Sequence, residues 1–104
     1  MTPFPFAILT PAGPAFSGEA LFVGACSIEG SLGVLARHAP MIVTCPAGAV
    51  RVQRADGWLC FDTSAAILRT DGRAAVVLAA RAEPAADEAA ALQAARDWER
   101  REAP

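Results

Sequence analysis

Lysine is missing from this chain: all nine basic residues are arginine. Set beside the many alanines, that reads as a compositional bias of the genome and not as a binding code. Eleven acidic residues bring the net charge to −2, which gives no footprint for nucleic acid. Histidine occurs once, at position 38, with no carboxylate or nucleophile at motif spacing, so a general-base role has nothing to work with. The three cysteines, Cys26, Cys45 and Cys60, are odd in number and far apart. This argues against a disulfide framework and fits a reducing compartment. Without the short Cys-x-x-Cys pairing, a Cys₃His zinc site with His38 is disfavoured. The cysteines sit in apolar runs and read as small buried hydrophobes. No charged leader precedes an apolar run, and no stretch nears the roughly 18 apolar residues that span a bilayer. The chain is expected to be soluble, with any membrane association indirect. Glycine-rich phosphate cradles are absent, so Arg51, Arg54, Arg69 and Arg73 read as solvated strand faces. No constellation for a Cys or Ser hydrolase is present.

What remains is a chain of 104 residues, 54% hydrophobic and 19% charged, enough for one domain with a packed core. A domain this small buries a limited share of its surface, so partner surfaces would add to its stability. Residues 4–10, 20–28, 32–35 and 41–45 are apolar runs. Pro11-Ala12-Gly13-Pro14 supplies turn chemistry after the first, and Pro40 and Pro46 bracket the fourth, which suits a strand near an edge. In residues 49–54, Val50 and Val52 alternate with Arg51 and Gln53. Asp56-Gly57 then turns the chain into 58–62, and Asp71-Gly72 divides 66–69 from 73–80. Asp-Gly favours a type I′ turn. The pattern predicts a mostly β fold: an N-terminal β-sandwich of about 8–10 short strands followed by one C-terminal α-helix.

The helix is expected to open at Glu83-Pro84, since proline suits the first helical position. That divides the chain into a sandwich of residues 1–82 and a helical segment of 83–104. Asp87 and Glu88 suit the positive end, and Arg96, Arg100 and Arg101 the negative end. Asp97 and Arg101 stand four apart in the favourable order. A helix only a little longer than ~15 residues is marginal alone, so its stripe of Ala91, Leu92, Ala95 and Trp98 should dock, on the sandwich or on a partner chain.

The run Glu29-Gly30-Ser31-Leu32-Gly33-Val34-Leu35-Ala36-Arg37-His38-Ala39-Pro40, closed by Met41, resembles the signature of the epsilon subunit of F-type ATP synthases. That family reads Glu-Gly-x-Leu-Gly, a hydrophobic pair, a short turn, then His-Ala-Pro and an apolar residue. Phe16-Ser17-Gly18 upstream and Pro46-Ala47-Gly48-Ala49-Val50-Arg51-Val52 downstream fit too. The likeness runs from about Phe6 to Glu99. It implies a non-catalytic central-stalk (rotor) subunit. Such a subunit binds gamma, contacts the c ring, and couples proton transport to ATP synthesis. It would be peripheral, on the cytoplasmic side of the bacterial inner membrane.

By the same resemblance His38, Ala39, Pro40, Met41 and Ile42 would face gamma. Glu29, Gly30, Ser31, Leu32 and Gly33 would form the loop against the c ring, and Leu92, Ala95 and Trp98 would dock the helix. His38 reads equally as a turn residue whose ring bonds the backbone. The family has two C-terminal helices and this chain shows one, a short form in which inhibition by an extended helix pair is in doubt. The ATP motif Ile/Leu-Asp-x-x-Arg-Ala appears here as Ala86-Asp87-Glu88-Ala89-Ala90-Ala91. Its Arg position holds Ala90, which removes a charge-assisted phosphate partner, so weak or no ATP binding and no cofactor are expected. Ser64-Ala65-Ala66 stands where the family often has paired glycines, so positive φ there would be costly. The alternative is a stand-alone epsilon-like binding module or regulator outside the ATP synthase.

Overall fold

Where valines alternate with Arg51 and Gln53, a strand must send the two sets to opposite faces. The computed structural model, which describes residues 1–102, does this: Val50 and Val52 are buried, while Arg51 and Gln53 are half-exposed on the other side. The strands, in chain order, are β1 (Phe4–Thr10), β2 (Gly13–Ala20), β3 (Phe22–Ser27), β4 (Gly30–Val34), β5 (Met41–Cys45), β6 (Gly48–Arg54), β7 (Gly57–Thr63), β8 (Ala66–Thr70), β9 (Ala75–Ala79) and β10 (Ala82–Ala85). Helix α1 (Glu88–Glu102) follows. The first sheet has the order β2-β1-β9-β8-β5 and the second β10-β7-β6-β3-β4. All pairings are antiparallel except β1 with β9.

The two inner faces meet in a core of Phe6, Ile8, Val23, Val52, Leu68 and Val77, each 2% exposed or less. Phe16 joins the sheets, its ring 5.9 Å from that of Phe6 and 6.1 Å from that of Phe61. Truncating a side chain such as Leu68, which has no exposed surface, costs about 2–5 kcal/mol.

Several expectations need correction. Residues 13–20 form a strand, although Pro14, Ser17, Gly18 and Glu19 lack β propensity. They are tolerated because β2 is an edge strand, paired only to β1, and an edge leaves alternate backbone groups to water. The run 20–28 breaks at Leu21, where the chain passes from one sheet to the other. The Asp56-Gly57 hairpin is not type I′, which needs positive φ at both central residues. The register pairs Arg54 with Gly57, and Gly57 alone takes positive φ, at 134°. The fold keeps the hairpin by closing a two-residue turn with a glycine. Asp71-Gly72 lies in a four-residue loop, and β9 starts only at Ala75. There the Asp71 carboxylate accepts the N–H groups of Arg73 and Ala74 at 2.9 and 3.0 Å. Among the described residues, positive φ in a non-glycine residue occurs only at Arg37, so Ser64-Ala65-Ala66 is free of that strain.

The helix does not begin at Glu83-Pro84. Those residues belong to β10, another edge strand, where Pro84 pairs with Phe61. An edge position spares the missing N–H. Asp87 is the cap instead: its carboxylate accepts the Ala90 N–H at 2.8 Å, satisfying a donor that the first turn leaves open. Nor do Asp97 and Arg101 pair. Asp97 accepts from Gln93 at 3.1 Å, and Arg101 lies over the Trp98 ring at 5.7 Å.

Candidate functional site

An antiparallel sheet with one solvated face normally turns polar residues outward. The first sheet does not. Its outward positions carry Leu9, Leu78, Ile67 and Ile42, which are 38%, 46%, 45% and 71% exposed. Leu9 pairs with Leu78 across the parallel β1–β9 register, and Leu78 with Ile67 across β8–β9. Leu9, Leu78 and Ile67 form an apolar row across three strands that no described element covers; on β5 the row meets exposed Thr44, and Ile42 stands two residues along, beside exposed Arg69. Bands of this kind mark surfaces made for a partner.

Ile42, near the start of β5, adjoins the segment that carries the histidine. Residues 35–40 link β4 to β5, and Arg37 takes φ 64° there. The left-handed conformation tightens the turn, and the His38 N–H bonds the Leu35 carbonyl at 3.1 Å. The ring turns inward on its own loop, with Nδ1 2.8 Å from the Ala39 carbonyl oxygen. The His38 carbonyl lies against the neighbouring turn: a Cβ placed on Gly72 would stand 3.6 Å from it. Ala39 and Pro40 are exposed, Met41 packs against the core, and Ile42 is exposed.

The stretch 29–33 is mostly strand. Ser27 pairs with Gly30, so the turn is Ile28-Glu29 and β4 begins at Gly30, whose φ of 131° closes it. Ser27 Oγ donates to the Gly30 carbonyl and accepts the Glu29 N–H, both at 3.1 Å. At the tip Ile28 is 75% exposed. Sequence reasoning missed Ile28 by placing the turn one residue late; the Ser-x-x-Gly spacing was the available signal. Of the remaining residues, Ser31 and Gly33 are exposed, and Leu32 packs on the core. The hairpin tip and the His38 segment thus occupy opposite ends of β4, a strand of five residues and so roughly 17 Å long.

The second sheet's outer face is divided. Over β3 and β4, Phe22 lies across two glycines. A Cβ on Gly33 would stand 2.8 Å from its ring, and one on Gly24 would stand 3.1 Å away. Gly33 is therefore required for space and not for an unusual φ. Trp58 meets Phe22 edge-on at 5.9 Å, and Arg51 lies over Trp58 at 5.5 Å. Over β6, β7 and β10 the face is covered by α1. Ala91 and Ala95 are buried there, and Leu92 and Trp98 half-buried. Arg51 reaches Glu88 at 3.1 Å in the first turn. Beneath the last turns, Arg81 pairs with the buried Asp62 and faces the Trp98 ring at 4.4 Å. The Asp62–Arg81 contact is off hydrogen-bond alignment, so its attraction is mainly Coulombic.

The cysteines differ from expectation in one case: Cys26 is exposed, because it points to the open part of this face, while Cys45 is buried and Cys60 half-buried. Burial, with Cys26 nearby, raises the Cys45 thiol pKa. Burial and the Glu88 carboxylate raise that of Cys60. Among the described residues no group of three or more His, Cys, Asp or Glu side chains is placed to hold a metal ion, and no helix is long and apolar enough to cross a membrane.

Comparison with known proteins gives the geometry a context. Residues 3–85 match the family model for the ATP synthase delta/epsilon chain β-sandwich domain. A curated ATP synthase epsilon chain from Desulforamulus reducens is 36% identical over 78 residues, covering 75% of this chain and 59% of the relative. Another, from Dichelobacter nodosus, is 41% identical over 56 residues, covering 54% of this chain and 39% of the relative. The matches thus span between 39% and 59% of these relatives' lengths. A chain in the cryo-EM structure of Euglena gracilis mitochondrial ATP synthase (OSCP/F1/c-ring) shares the fold with a TM-score of 0.74 at 14% identity, covering 89% of this chain and 73% of that chain.

Proposed function

The chain belongs to the ATP synthase delta/epsilon β-sandwich family, and from that premise we propose that it is the epsilon-type rotor subunit of a proton-translocating F-type ATP synthase. The single observation that carries the reading is the family match over residues 3–85. The uncovered apolar band and the two exposed ends of β4 support it. In this reading the subunit binds and does no chemistry of its own. Residues 38–42, together with the band through Ile67, Leu78 and Leu9, take the gamma subunit. The hairpin 28–33 meets the c ring at the other end. A wedge gripped on both sheets of one packed sandwich passes torque between its neighbours without a moving part. Its place is peripheral, on the cytoplasmic side of a bacterial inner membrane, and reached through the complex. The sandwich and the helix serve as the two units of the chain.

Nucleotide binding has little support. Ala90 stands at the motif's arginine position, and the Asp87 carboxylate is engaged as the helix cap. Co-purification with gamma tests the main claim. Stoichiometric capture, lost on Ile42→Asp or Ile67→Asp in a protein that keeps its fold, supports it. Failure of the wild-type chain to capture gamma would favour a stand-alone module outside the synthase. Substituting Ser31 and Leu32 tests the second contact through proton-driven ATP synthesis, which should fall.

A further inference from the structure

Helices on sheet surfaces are usually held by apolar area alone, and α1 is held by more. At its first turn Glu88 reaches Arg51 on β6. Along its middle, Leu92 closes on Gly48, where an added Cβ would stand 3.8 Å from its methyl. At its far end the contact is electrostatic and stacked. Asp62, on β7, has a side chain only 4% exposed, and its counter-ion Arg81 is 16% exposed. Arg81 comes from the link between β9 and β10, one of the crossings between the two sheets. That link is fixed from below, since Ser64 Oγ accepts the N–H groups of Ala80 and Arg81 at 3.0 and 3.1 Å. The guanidinium therefore has little freedom. One side meets the Asp62 carboxylate and its face meets Trp98.

We propose that Asp62, Arg81 and Trp98 form a latch that holds α1 closed on the second sheet. A guanidinium kept in place by a buried carboxylate presents a fixed, partly desolvated cation to the indole face, which strengthens that attraction. Because Trp98 sits in the last turns, the latch clamps the end of the helix farthest from its covalent tether at β10. The nearer end has the Asp87 cap and the Arg51–Glu88 pair. With both ends tied, α1 moves with the sheet beneath it and is not a free arm. This does not depend on which partner takes the sandwich.

Hydrogen exchange on the full chain tests the latch. In the wild type, amides of α1 should be protected, and in Arg81→Met those of residues 92–102 should exchange at least about tenfold faster, under native conditions in which β1, β8 and β9 still report only the global loss of stability and remain the slowest to exchange. Arg81→Lys, which keeps the charge but not the flat stacking group, should fall between. Exchange in α1 within about twofold of wild type in Arg81→Met would overturn the proposal. Should that variant fail to fold, Trp98→Leu keeps the ion pair and removes only the stack. It must also loosen residues 92–102, and unchanged protection there would equally overturn the latch.

Discussion

Gly33→Ala is the substitution for which the structure gives the sharpest expectation. The added methyl would stand 2.8 Å from Cε1 of Phe22 and 3.1 Å from Cζ, against roughly 3.5–4.0 Å for a comfortable carbon contact. The ring has little room to retreat. Trp58 meets it at 5.9 Å, and on its other flank a Cβ at Gly24 would already be 3.1 Å away. Backbone strain does not enter, since Gly33 is not among the glycines with positive φ. Alanine would by itself favour the strand by about 0.5–1 kcal/mol, whereas overpacking costs about 1–3 kcal/mol. The net loss should be about 0.5–2 kcal/mol. In a Phe22→Ala background the clash is gone, and Gly33→Ala should be neutral or stabilising. Urea unfolding followed by circular dichroism, run as a double-mutant cycle, should return a coupling of about 1–3 kcal/mol. Equal costs in the two backgrounds would refute the reasoning. Gly30→Ala is the control: its cost comes from φ 131°, with nothing within 4 Å of the new methyl, so it should not depend on Phe22.

Further expectations can be checked directly. Removing Arg81 strands the buried Asp62 charge, so Arg81→Ala should cost about 3–5 kcal/mol, and Asp62→Asn combined with Arg81→Met should recover most of it in the same unfolding assay. The Asp71 carboxyl is held below its usual pKa, first by the Ala74 N–H and then by that of Arg73. Its contribution is present above the unfolded value near ~3.9 and lost as pH falls through the folded one. The acid limb of stability should therefore be shallower in Asp71→Asn. Thiol alkylation should run in the order Cys26, Cys60, Cys45, following exposure. The raised pKa values of Cys45 and Cys60 also mean that stability falls as pH rises above the unfolded thiol value of ~8.5. Arg37→Gly should be tolerated, while Arg37→Val, forced into φ 64°, should lose about 1–2 kcal/mol in thermal unfolding.

Most of the architecture is legible in the residues because the sheet period is two and the interior is apolar. Val50, Val52 and the apolar runs at 4–10 and 41–45 locate their strands directly. The misses share a cause. β2 and β10 are edge strands, and edges accept Pro14, Gly18 and Pro84, which local propensity assigns to turns or to a helix start. Their strand character comes from their partners: β1, across the Pro11-Ala12 turn, for β2, and β7, about twenty residues upstream, for β10. The 28–33 region shows the same limit at a smaller scale. Its glycines suggested a loop, yet Gly30 serves a turn and Gly33 makes room for a ring from the neighbouring strand. The segment around His38 was found through a family signature. The band of Leu9, Ile67 and Leu78 was not, because its members come from three strands and become neighbours only when the sheet forms.

The pairing of β1 with β9 sets a condition on how the protein is made. Residues 6–9 find their second neighbour only in residues 75–78, so the first strand to leave the ribosome must wait for nearly the whole chain before its sheet can close. Contacts this distant in sequence slow folding. During that wait Phe4, Phe6 and Ile8 have only the β2 hairpin to shelter them. The interval between synthesis and closure is when a nascent copy is most exposed to proteases and to clumping, and a chaperone that binds short apolar segments would find its target there.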